Sequence, residues 1–352
     1  NNHRVNYGEY YSRCSQLASA LVSVGVKPGS VVATILPNVP AQAEAHFGVP
    51  ACGAVLNTIN TRLDVDTVSY IFGHGEAKVV LVDSQFLALA ESACAQVGDK
   101  APLIIEVSDP SAGFESSGKY TNYEKFLSSG DKKFKWLMPE DEWESLALNY
   151  TSGTTGRPKG VVYHHRGAYL MTMGTVVSWR MQIFPVFLTI VPLFHCNGWN
   201  HTWLMPMVGG KLVCCREISA EAIYNAISDE KVAFFGGAPI VLNLIVNADQ
   251  KERKPFEHRV EVFTAGAPPA PATLGKMEKL GFNVTQVYGL TETYGHVTEC
   301  LWQDNDWESV TDEERATIKA RQGVAMPMME DITVMDDKMQ QIPMDSTTQG
   351  EI

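Results

Sequence analysis

The chain has 352 residues, of which 45% are hydrophobic, so it is long enough to bury large cores and to form two or three subdomains. Its 28 basic and 40 acidic side chains give a net charge of −12, which argues against a general nucleic-acid binder or a binder of anionic membranes. No apolar run approaches the roughly eighteen residues that a membrane helix requires, so no integral membrane segment is predicted.

Helix-like and strand-like stretches alternate in the first part of the chain. Apolar residues between Tyr10 and Leu21 recur at helical spacing, and Gly25 is expected to end that helix. The next predicted elements are a buried strand over Val31–Leu36, a helix over 41–54 and strands over Ala77–Asp83 and Leu103–Val107. Residues 109–142 are polar and irregular, and we interpret them as a surface excursion.

The alternation becomes regular in the second part of the chain. Strands are predicted over 187–191, 211–215, 231–235, 259–264 and 283–287, and helices over 200–208, 219–229, 239–248 and 271–280. The fold class is therefore α/β, with layered α/β subdomains and mostly parallel sheets, whose ligands are expected at the carboxyl ends of the strands. We assign residues 1–297 to these subdomains, and residues 298–352 to an acidic surface segment and the start of a small β-rich subdomain.

Residues 150–160 combine three glycines, four hydroxyl groups of Thr and Ser, and two cations. Glycines let backbone N–H groups turn onto an anion, hydroxyls add donors and lysine adds a positive charge, so this composition predicts a phosphate-binding loop. A flexible Ser/Thr/Gly linker is the alternative, but Arg157-Pro158-Lys159 leads directly into an apolar strand. The predicted loop residues are Thr151, Ser152, Gly153, Thr154, Thr155, Gly156, Arg157, Pro158 and Lys159.

A second segment offers an aromatic ring, a glycine turn, a hydroxyl and a carboxylate in succession. It comprises Gln286, Val287, Tyr288, Gly289, Leu290, Thr291 and Glu292. A nucleotide carrying a divalent ion needs a ring for its base, donors for its phosphates and a hard oxygen ligand for Mg²⁺. The two segments together therefore indicate a site for Mg²⁺ with ATP.

These segments resemble the phosphate loop and the Tyr-Gly-x-Thr-Glu motif of the adenylate-forming (AMP-binding) enzymes, which include acyl-CoA synthetases, luciferases and adenylation domains of peptide synthetases. Further resembling segments stand in the family's order at 192–199, 236–239, 264–269 and 350–352. The His-Cys-Asn-Gly-Trp sequence from His195 to Trp199 is most similar to the branch of carboxylate-CoA ligases that act on short, medium-chain and aromatic acids.

The resemblance implies a role for each matched residue. Lys159, His195, Thr291 and Glu292 would be catalytic, with Thr291 on the α-phosphate, Glu292 on Mg²⁺ and His195 beside the acid's carboxylate. The remaining nucleotide contacts would come from Gly266, Ala267, Pro268 and Pro269 along the adenine, and from the segment Gln286, Val287, Tyr288 and Gly289. The acyl pocket would be bordered by His195, Trp199, Gly236, Gly237, Ala265 and His296.

The predicted activity is ATP-dependent ligation of a carboxylic acid to coenzyme A through an acyl-adenylate, with ATP, the acid and CoA as substrates. A carrier-protein-loading adenylation domain and a non-catalytic nucleotide-binding module stay open as alternatives. Family members continue into a C-terminal domain with a catalytic lysine, so we expect this chain to be an incomplete fragment that is inactive by itself.

The sequence contains seven cysteines and no C-x-x-C spacing, which favours free thiols in a reducing compartment. We therefore expect a cytoplasmic location, or a peroxisomal one if the protein is eukaryotic. A homodimer stays open.

Overall fold

The computed structural model describes residues 3–151, 156–302, 310–330, 332–345 and 347–352. Within these residues, β structure forms two sheets of seven strands each. The strands of the first sheet are β1 (Val31–Ile35), β2 (Val55–Thr58), β3 (Ala77–Asp83), β4 (Leu103–Val107), β5 (Thr121–Asn122), β6 (Ser145–Thr151) and β7 (Lys159–His164). Those of the second are β8 (Val186–Thr189), β9 (Lys211–Cys214), β10 (Phe234–Gly237), β11 (Val260–Thr264), β12 (Phe282–Leu290), β13 (Gly295–Glu299) and β14 (Val324–Ala325).

Helices cover and connect the two sheets. They are α1 (Tyr7–Ser23), α2 (Pro40–Gly48), α3 (Val65–His74), α4 (Leu87–Val97), α5 (Tyr123–Ser128), α6 (His165–Ser178), α7 (Cys196–Trp199), α8 (His201–Met207), α9 (Ala220–Glu230), α10 (Pro239–Val246), α11 (Pro271–Lys279) and α12 (Asp312–Lys319). None of the helices in the described ranges has the length and apolar character needed to cross a bilayer.

Both sheets are mostly parallel, which confirms the predicted fold class. The first sheet has the order β5-β4-β3-β1-β2-β6-β7, and only the β6–β7 hairpin is antiparallel. The second has the order β14-β13-β12-β11-β10-β8-β9, where β13 and β14 add antiparallel strands to a parallel core. The carboxyl ends of the parallel strands are the edge where ligands of such sheets bind.

The second sheet has two different faces. One face, with Val260, Val262 and Val284, lies in an apolar cluster together with Ile223 and Ile227 of α9 and with apolar residues of α10 and α11. The other face, with Phe263 and Ala265, belongs to a separate cluster that contains two tryptophans, Trp179 and Trp199. Since successive strand residues point to opposite faces, the β11 sequence Val-Glu-Val-Phe-Thr supplies both clusters. The second face leads to the site described below.

Several predicted boundaries were wrong for local reasons. The helix expected over 41–54 ends at Gly48, because Pro50 lacks the N–H that a continued helix needs and starts a 3₁₀ turn ending at Gly53. The excursion expected over 109–142 contains α5, whose first turn is capped by the Asn122 side chain. The strand expected over 231–235 begins instead at Phe234, since α9 ends at Glu230 and the following Lys231 has a left-handed conformation.

Beyond residue 297 the chain first completes the second sheet. β13 spans the predicted boundary at 297–298, and β14 then pairs with it. In the described parts of 331–352, β structure is limited to isolated bridges from Met335 to Gln341 and Glu351. The division into 1–297 and 298–352, with its β-rich subdomain, stays a prediction.

Candidate active site

The predicted phosphate loop connects the two strands of the β6–β7 hairpin. Thr151, the last residue of β6, pairs with Lys159, the first residue of β7. Ser152, Gly153, Thr154 and Thr155 lie outside the described residues, so their predicted phosphate contacts stay predictions. Gly156 has a φ of 120°, which only glycine adopts without strain, and Lys159 is exposed beside it. Arg157 and Pro158 complete the loop, with the Arg157 guanidinium 5.4 Å from the centre of the Tyr70 ring.

Two contacts bring the hairpin of the first sheet to the Thr-Glu segment of the second. The Thr151 hydroxyl donates to Glu292 Oε1 at 3.4 Å, and Tyr163 Oη donates to the backbone oxygen of Thr291 at 2.6 Å. Thr151 and Tyr163 lie 141 and 128 residues from their respective partners Glu292 and Thr291, and Glu292 remains exposed. The structure therefore places the first end of the loop beside the Glu292 carboxylate, and the second strand of the hairpin against the backbone of Thr291.

Gly289 does not form the turn that its sequence context predicts. It lies inside β12, where a Cβ atom would be 1.8 Å from the backbone oxygen of Gly295 on β13. Glycine is thus required for the close approach of β13, and the turn itself follows at Thr291–Thr293, with hydrogen bonds back to Leu290. This pairing holds Thr291 and Glu292 at the edge of the sheet.

The residues predicted to flank the adenine stand at one level of the second sheet. β11 ends at Thr264, which pairs with Gln286 of β12. Two residues further along each strand come Gly266 and Tyr288. Gly266, Ala267 and Pro268 are exposed and Tyr288 is half-buried, whereas Pro269, Gln286 and Val287 are buried. The exposed backbone after β11 and the Tyr288 ring can flank a planar base. The buried Pro269, Gln286 and Val287 support that backbone and ring.

The short element α7, together with Asn200, is a left-handed turn rather than a regular right-handed helix. Cys196, Asn197, Gly198, Trp199 and Asn200 all have positive φ values between 43° and 64°. Each non-glycine residue in this conformation costs on the order of 1 kcal/mol, so the turn persists only where its surroundings stabilise it. Such strain is concentrated at functional sites in proteins.

Asn38, just after β1, stabilises the approach to this turn. Its side-chain amide donates to the backbone oxygens of Thr189 at 2.7 Å and Val191 at 3.2 Å. Its Oδ1 accepts from the backbone N–H of Leu193 at 2.7 Å. A single buried side chain of the first sheet therefore satisfies three backbone groups of the segment leading to His195.

Two polar side chains of the first sheet, Thr58 and Asn149, fix the turn through Asn197 and the backbone of Phe194. Asn149 Nδ2 donates to Asn197 Oδ1 at 2.7 Å, and Asn197 Nδ2 donates to Thr58 Oγ1 at 3.3 Å. The Thr58 hydroxyl donates to the backbone oxygen of Phe194 at 2.9 Å. All three side chains are buried, so this network is stronger than it would be in water and determines the turn's position.

The environment of His195 and Cys196 sets their protonation. The His195 ring is accessible to solvent, yet protein surrounds enough of it that lost solvation lowers its pKa, which favours the neutral imidazole. Cys196 is buried and lies 3.7 Å from Thr291 Oγ1, and burial raises the pKa of its thiol. A neutral His195 imidazole can donate one hydrogen bond to a carboxylate. The protonated thiol of Cys196 is a poor nucleophile.

Four of the residues predicted for the acyl pocket, namely Trp199, Gly236, Ala265 and His296, gather on the second face of the second sheet. The Trp199 indole lies against Gly236, where a Cβ atom would be 2.8 Å from Trp199 Cζ3. The His296 ring centre is 6.0 Å from that of Trp199, and Ala265 belongs to the same apolar cluster as Trp199. Gly237 is different, because a Cβ atom there would meet Val241 of α10. Its role as a pocket residue stays a prediction.

Sequence reasoning missed several residues that position the site. Asn38, Thr58 and Asn149 are polar residues within or just after apolar strands, and such residues need partners when buried. That pattern was readable, but the partners, between 48 and 155 residues away, were not. Trp179 had no motif to mark it, although it lies in the same cluster as Trp199.

The Glu292 region suits a magnesium ion that arrives with a nucleotide. In the described parts of the chain no group of three or more His, Cys, Asp or Glu side chains could hold a metal by itself. Glu292 instead offers one exposed carboxylate next to the Thr151 hydroxyl. Mg²⁺ commonly binds one or two carboxylates and takes its other ligands from phosphates and water.

Comparison with known proteins decides the family. The family model described as AMP-binding enzyme matches residues 1–352. This chain belongs to the AMP-binding enzymes. It is 45% identical over 355 residues to an acetate/butyrate–CoA ligase from Arabidopsis thaliana, covering 97% of this chain and 62% of that protein. It is 41% identical over 364 residues to a trans-cinnamate:CoA ligase from Petunia hybrida, covering 99% of this chain and 64% of the relative.

Solved structures support the same fold. The N-terminal domain of FACL13 from Mycobacterium tuberculosis matches with a TM-score of 0.79 at 22% identity, covering 96% of this chain and 79% of that one. A benzoate CoA ligase from Burkholderia xenovorans LB400 matches with a TM-score of 0.80 at 17% identity, covering 96% and 64%. The resemblance to acyl-CoA ligases predicted from the motifs is thus confirmed, although the chain spans just over three fifths of the curated relatives it matches.

Proposed function

We propose that the full natural protein joins a small carboxylic acid with a short tail to coenzyme A in two steps. A carboxylate oxygen of the acid attacks the α-phosphorus of ATP, giving an acyl-adenylate and pyrophosphate. The sulfur of CoA then attacks the acyl carbon, giving the thioester, AMP and a proton. The meeting of the β6–β7 hairpin with Thr291 and Glu292 is the observation that carries this proposal.

The first step joins anions, so the protein must offset their repulsion. Lys159 at the start of β7 supplies a cation, and Thr291 supplies a hydroxyl for the α-phosphate. Mg²⁺, held by Glu292 and the phosphates, would supply further charge neutralisation. His195, at the mouth of the pocket, orients the carboxylate through a hydrogen bond.

Two features favour a short tail. The proposed pocket is already occupied by large rings, since Trp199 lies against Gly236 and a second tryptophan, Trp179, packs at its edge. The relatives described as acetate/butyrate–CoA ligase and 2-methylpropanoate–CoA ligase act on short acids by their names, at 45% and 41% identity. The trans-cinnamate ligase at 41% makes an aromatic acid the alternative outcome.

The acetate/butyrate–CoA ligase is described as peroxisomal, and on that ground we propose a peroxisomal location for this protein ahead of a cytoplasmic one.

A panel of acids tests this function. Pyrophosphate release is measured with Mg·ATP and acetate, butyrate, 2-methylpropanoate, octanoate or cinnamate, and thioester formation with CoA is followed by mass spectrometry. We expect butyrate or 2-methylpropanoate to give the highest kcat/KM. Highest activity with cinnamate would contradict the short-tail assignment, and absence of pyrophosphate release with every acid would contradict the ligase.

Glu292→Gln provides the matched chemical test. We expect it to lose most of the metal-dependent part of ATP binding and on the order of 10² in kcat, while AMP binding stays within about twofold. Glu313→Gln, on the exposed first turn of α12, is the control and should behave as the unmodified protein. Equal weakening of AMP and Mg·ATP by Glu292→Gln would assign this residue a structural role instead.

A further inference from the structure

The register of the second sheet arranges its second face in rows. The first row, towards the amino ends of the strands, is Phe234, Glu261 and Asn283. The middle row is Gly236, Phe263 and Thr285. Ala265 lies one step further towards the carboxyl ends, where ligands of such sheets bind.

Two indole rings cover the middle row. Trp179, at the end of α6, stacks on Phe263 with ring centres 3.4 Å apart and an angle of 3° between the planes. Trp199 lies against Gly236, and the two tryptophans meet edge to face with their centres 6.4 Å apart. The indoles thus form a continuous layer across β10 and β11.

This layer separates two spaces. On the carboxyl side lies the proposed acyl pocket with Ala265 and with His296, whose ring centre is 5.1 Å from that of Trp179. On the other side, a cavity of about 850 Å³ lies between described residues that include the whole first row. Trp179 and Phe263 also line this cavity, so the same stacked pair borders both spaces.

We infer that Trp179 is the back wall of the acyl pocket and restricts the protein to acids with short tails. This inference rests on the proposed function and deepens it, since it names the residue that sets the upper length of the tail. A longer chain passing His296 would meet the Trp179 indole before it reached the cavity. The cavity has the volume of an ordinary small-molecule site, so it is large enough for the tail that the indole excludes, and Phe234 and Phe263 share its lining with charged side chains such as Arg259 and Glu261.

The way Trp179 is held makes this idea testable by substitution. The side chain is buried, and its indole N–H has no hydrogen-bond partner in the described structure. Packing alone therefore holds the ring, and Trp179→Leu leaves no partner group unsatisfied. The substitution removes ring volume between the two spaces while keeping an apolar side chain on Phe263.

The test compares butyrate with octanoate by kcat/KM of pyrophosphate release in the full natural protein. For Trp179→Leu we expect the octanoate-to-butyrate ratio to rise by about tenfold or more, because even one methylene can change discrimination by that factor. Trp136→Leu is the matched control: Trp136 is half-buried, stacks on Tyr11 and binds Ser15 in the first part of the chain. Its ratio should stay within twofold of the unmodified protein.

A second measurement needs no substitution. Non-hydrolysable butanoyl and octanoyl adenylate analogues are titrated into the unmodified protein by calorimetry, and we expect the octanoyl analogue to bind at least tenfold more weakly. Equal binding of the two analogues, or an unchanged activity ratio in a folded Trp179→Leu protein, would overturn the inference. If no acid released pyrophosphate, the proposed function would be overturned instead. The titration with the two analogues would still test whether Trp179 limits the length of the acyl tail.

Discussion

The residues predicted to hold ATP and those predicted to hold the acid differ in burial and in backbone strain. On the ATP side, which we define as Gly156–Lys159, Gly266–Pro268 and Thr291–Glu292, most side chains are exposed or half-buried at strand ends. On the acid side, defined as residues 193–200 with Trp179 and His296, side chains other than those of Phe194 and His195 are buried, and five successive residues have positive φ.

This difference separates two ways of building a binding surface. The ATP side presents a cation, hydroxyl groups and a carboxylate on exposed side chains, which can be substituted with little effect on packing. The acid side depends on a strained turn that the first sheet holds through Asn38, Thr58 and Asn149. Substitutions on the acid side should therefore cost both stability and activity, whereas those on the ATP side should cost binding alone.

Low pH should have the largest effect. Burial lowers the pKa of His201 to about 3 and that of His296 and His46 to about 4, so each is neutral when folded. Between pH 6.5 and 4 the unfolded chain binds more protons than the folded one, so stability falls as the pH falls. We expect the free energy of unfolding to drop by about 1–2 kcal/mol per histidine from pH 7 to pH 5, measured by urea titration.

Variants identify the source of that loss. His201→Leu should reduce the pH dependence by roughly one histidine's share, whereas exposed His3→Gln should leave it unchanged. The comparison also separates the effect of the imidazoles from that of Glu44 and Glu299. Burial raises the pKa of these two carboxyls, so they stabilise the folded protein as the pH falls, whereas the histidines destabilise it. A free energy of unfolding that does not change between pH 7 and 5 in any variant would argue that His201, His296 and His46 are solvated in the folded protein.

Asn38→Ala should have the next largest effect. It leaves two backbone oxygens and the N–H of Leu193 without their partner, which should cost about 2–4 kcal/mol of stability. Because the turn that carries His195 would shift, we expect the KM for the acid to rise about tenfold or more, while the KM for ATP changes less than threefold. Steady-state kinetics with each substrate varied separately measures this division.

Gln16→Ala is the control for that prediction. Gln16 is also a buried amide of the first part of the chain, but it donates one hydrogen bond to the backbone oxygen of Leu127, remote from the site. It should lower stability without changing either KM. Equal changes in both KM values for Asn38→Ala would mean that Asn38 supports the whole fold rather than the acid side.

Lys159→Ala should have the smallest effect on stability. The side chain is exposed on the hairpin, so the free energy of unfolding should change by less than about 0.5 kcal/mol. Affinity for Mg·ATP, measured by calorimetry, should nevertheless fall about tenfold through the loss of a cation near the phosphates. Lys78→Ala, exposed on β3, should leave affinity unchanged. Unaltered affinity in Lys159→Ala would remove this residue from the phosphate site.

Local patterns predicted much of the fold. The strands Ala77–Asp83 and Leu103–Val107 were predicted with their observed bounds, because apolar runs between breaking residues are local signals. Gly289 was predicted to turn the chain, yet it lies in a strand whose partner comes too close for any Cβ. That requirement comes from β13 and cannot be read from the residues around Gly289.

By itself, the sequence determined the order of strands and helices, the class of fold and the family, since hydrophobic period, glycine and proline breaks and contiguous motifs are properties of neighbouring residues. Only the tertiary structure decided which distant groups meet. Asn38 lies more than 150 residues from its partners, and Trp179 reaches Phe263 from another element. Such contacts depend on strand order and register, which bring together residues that no local pattern connects.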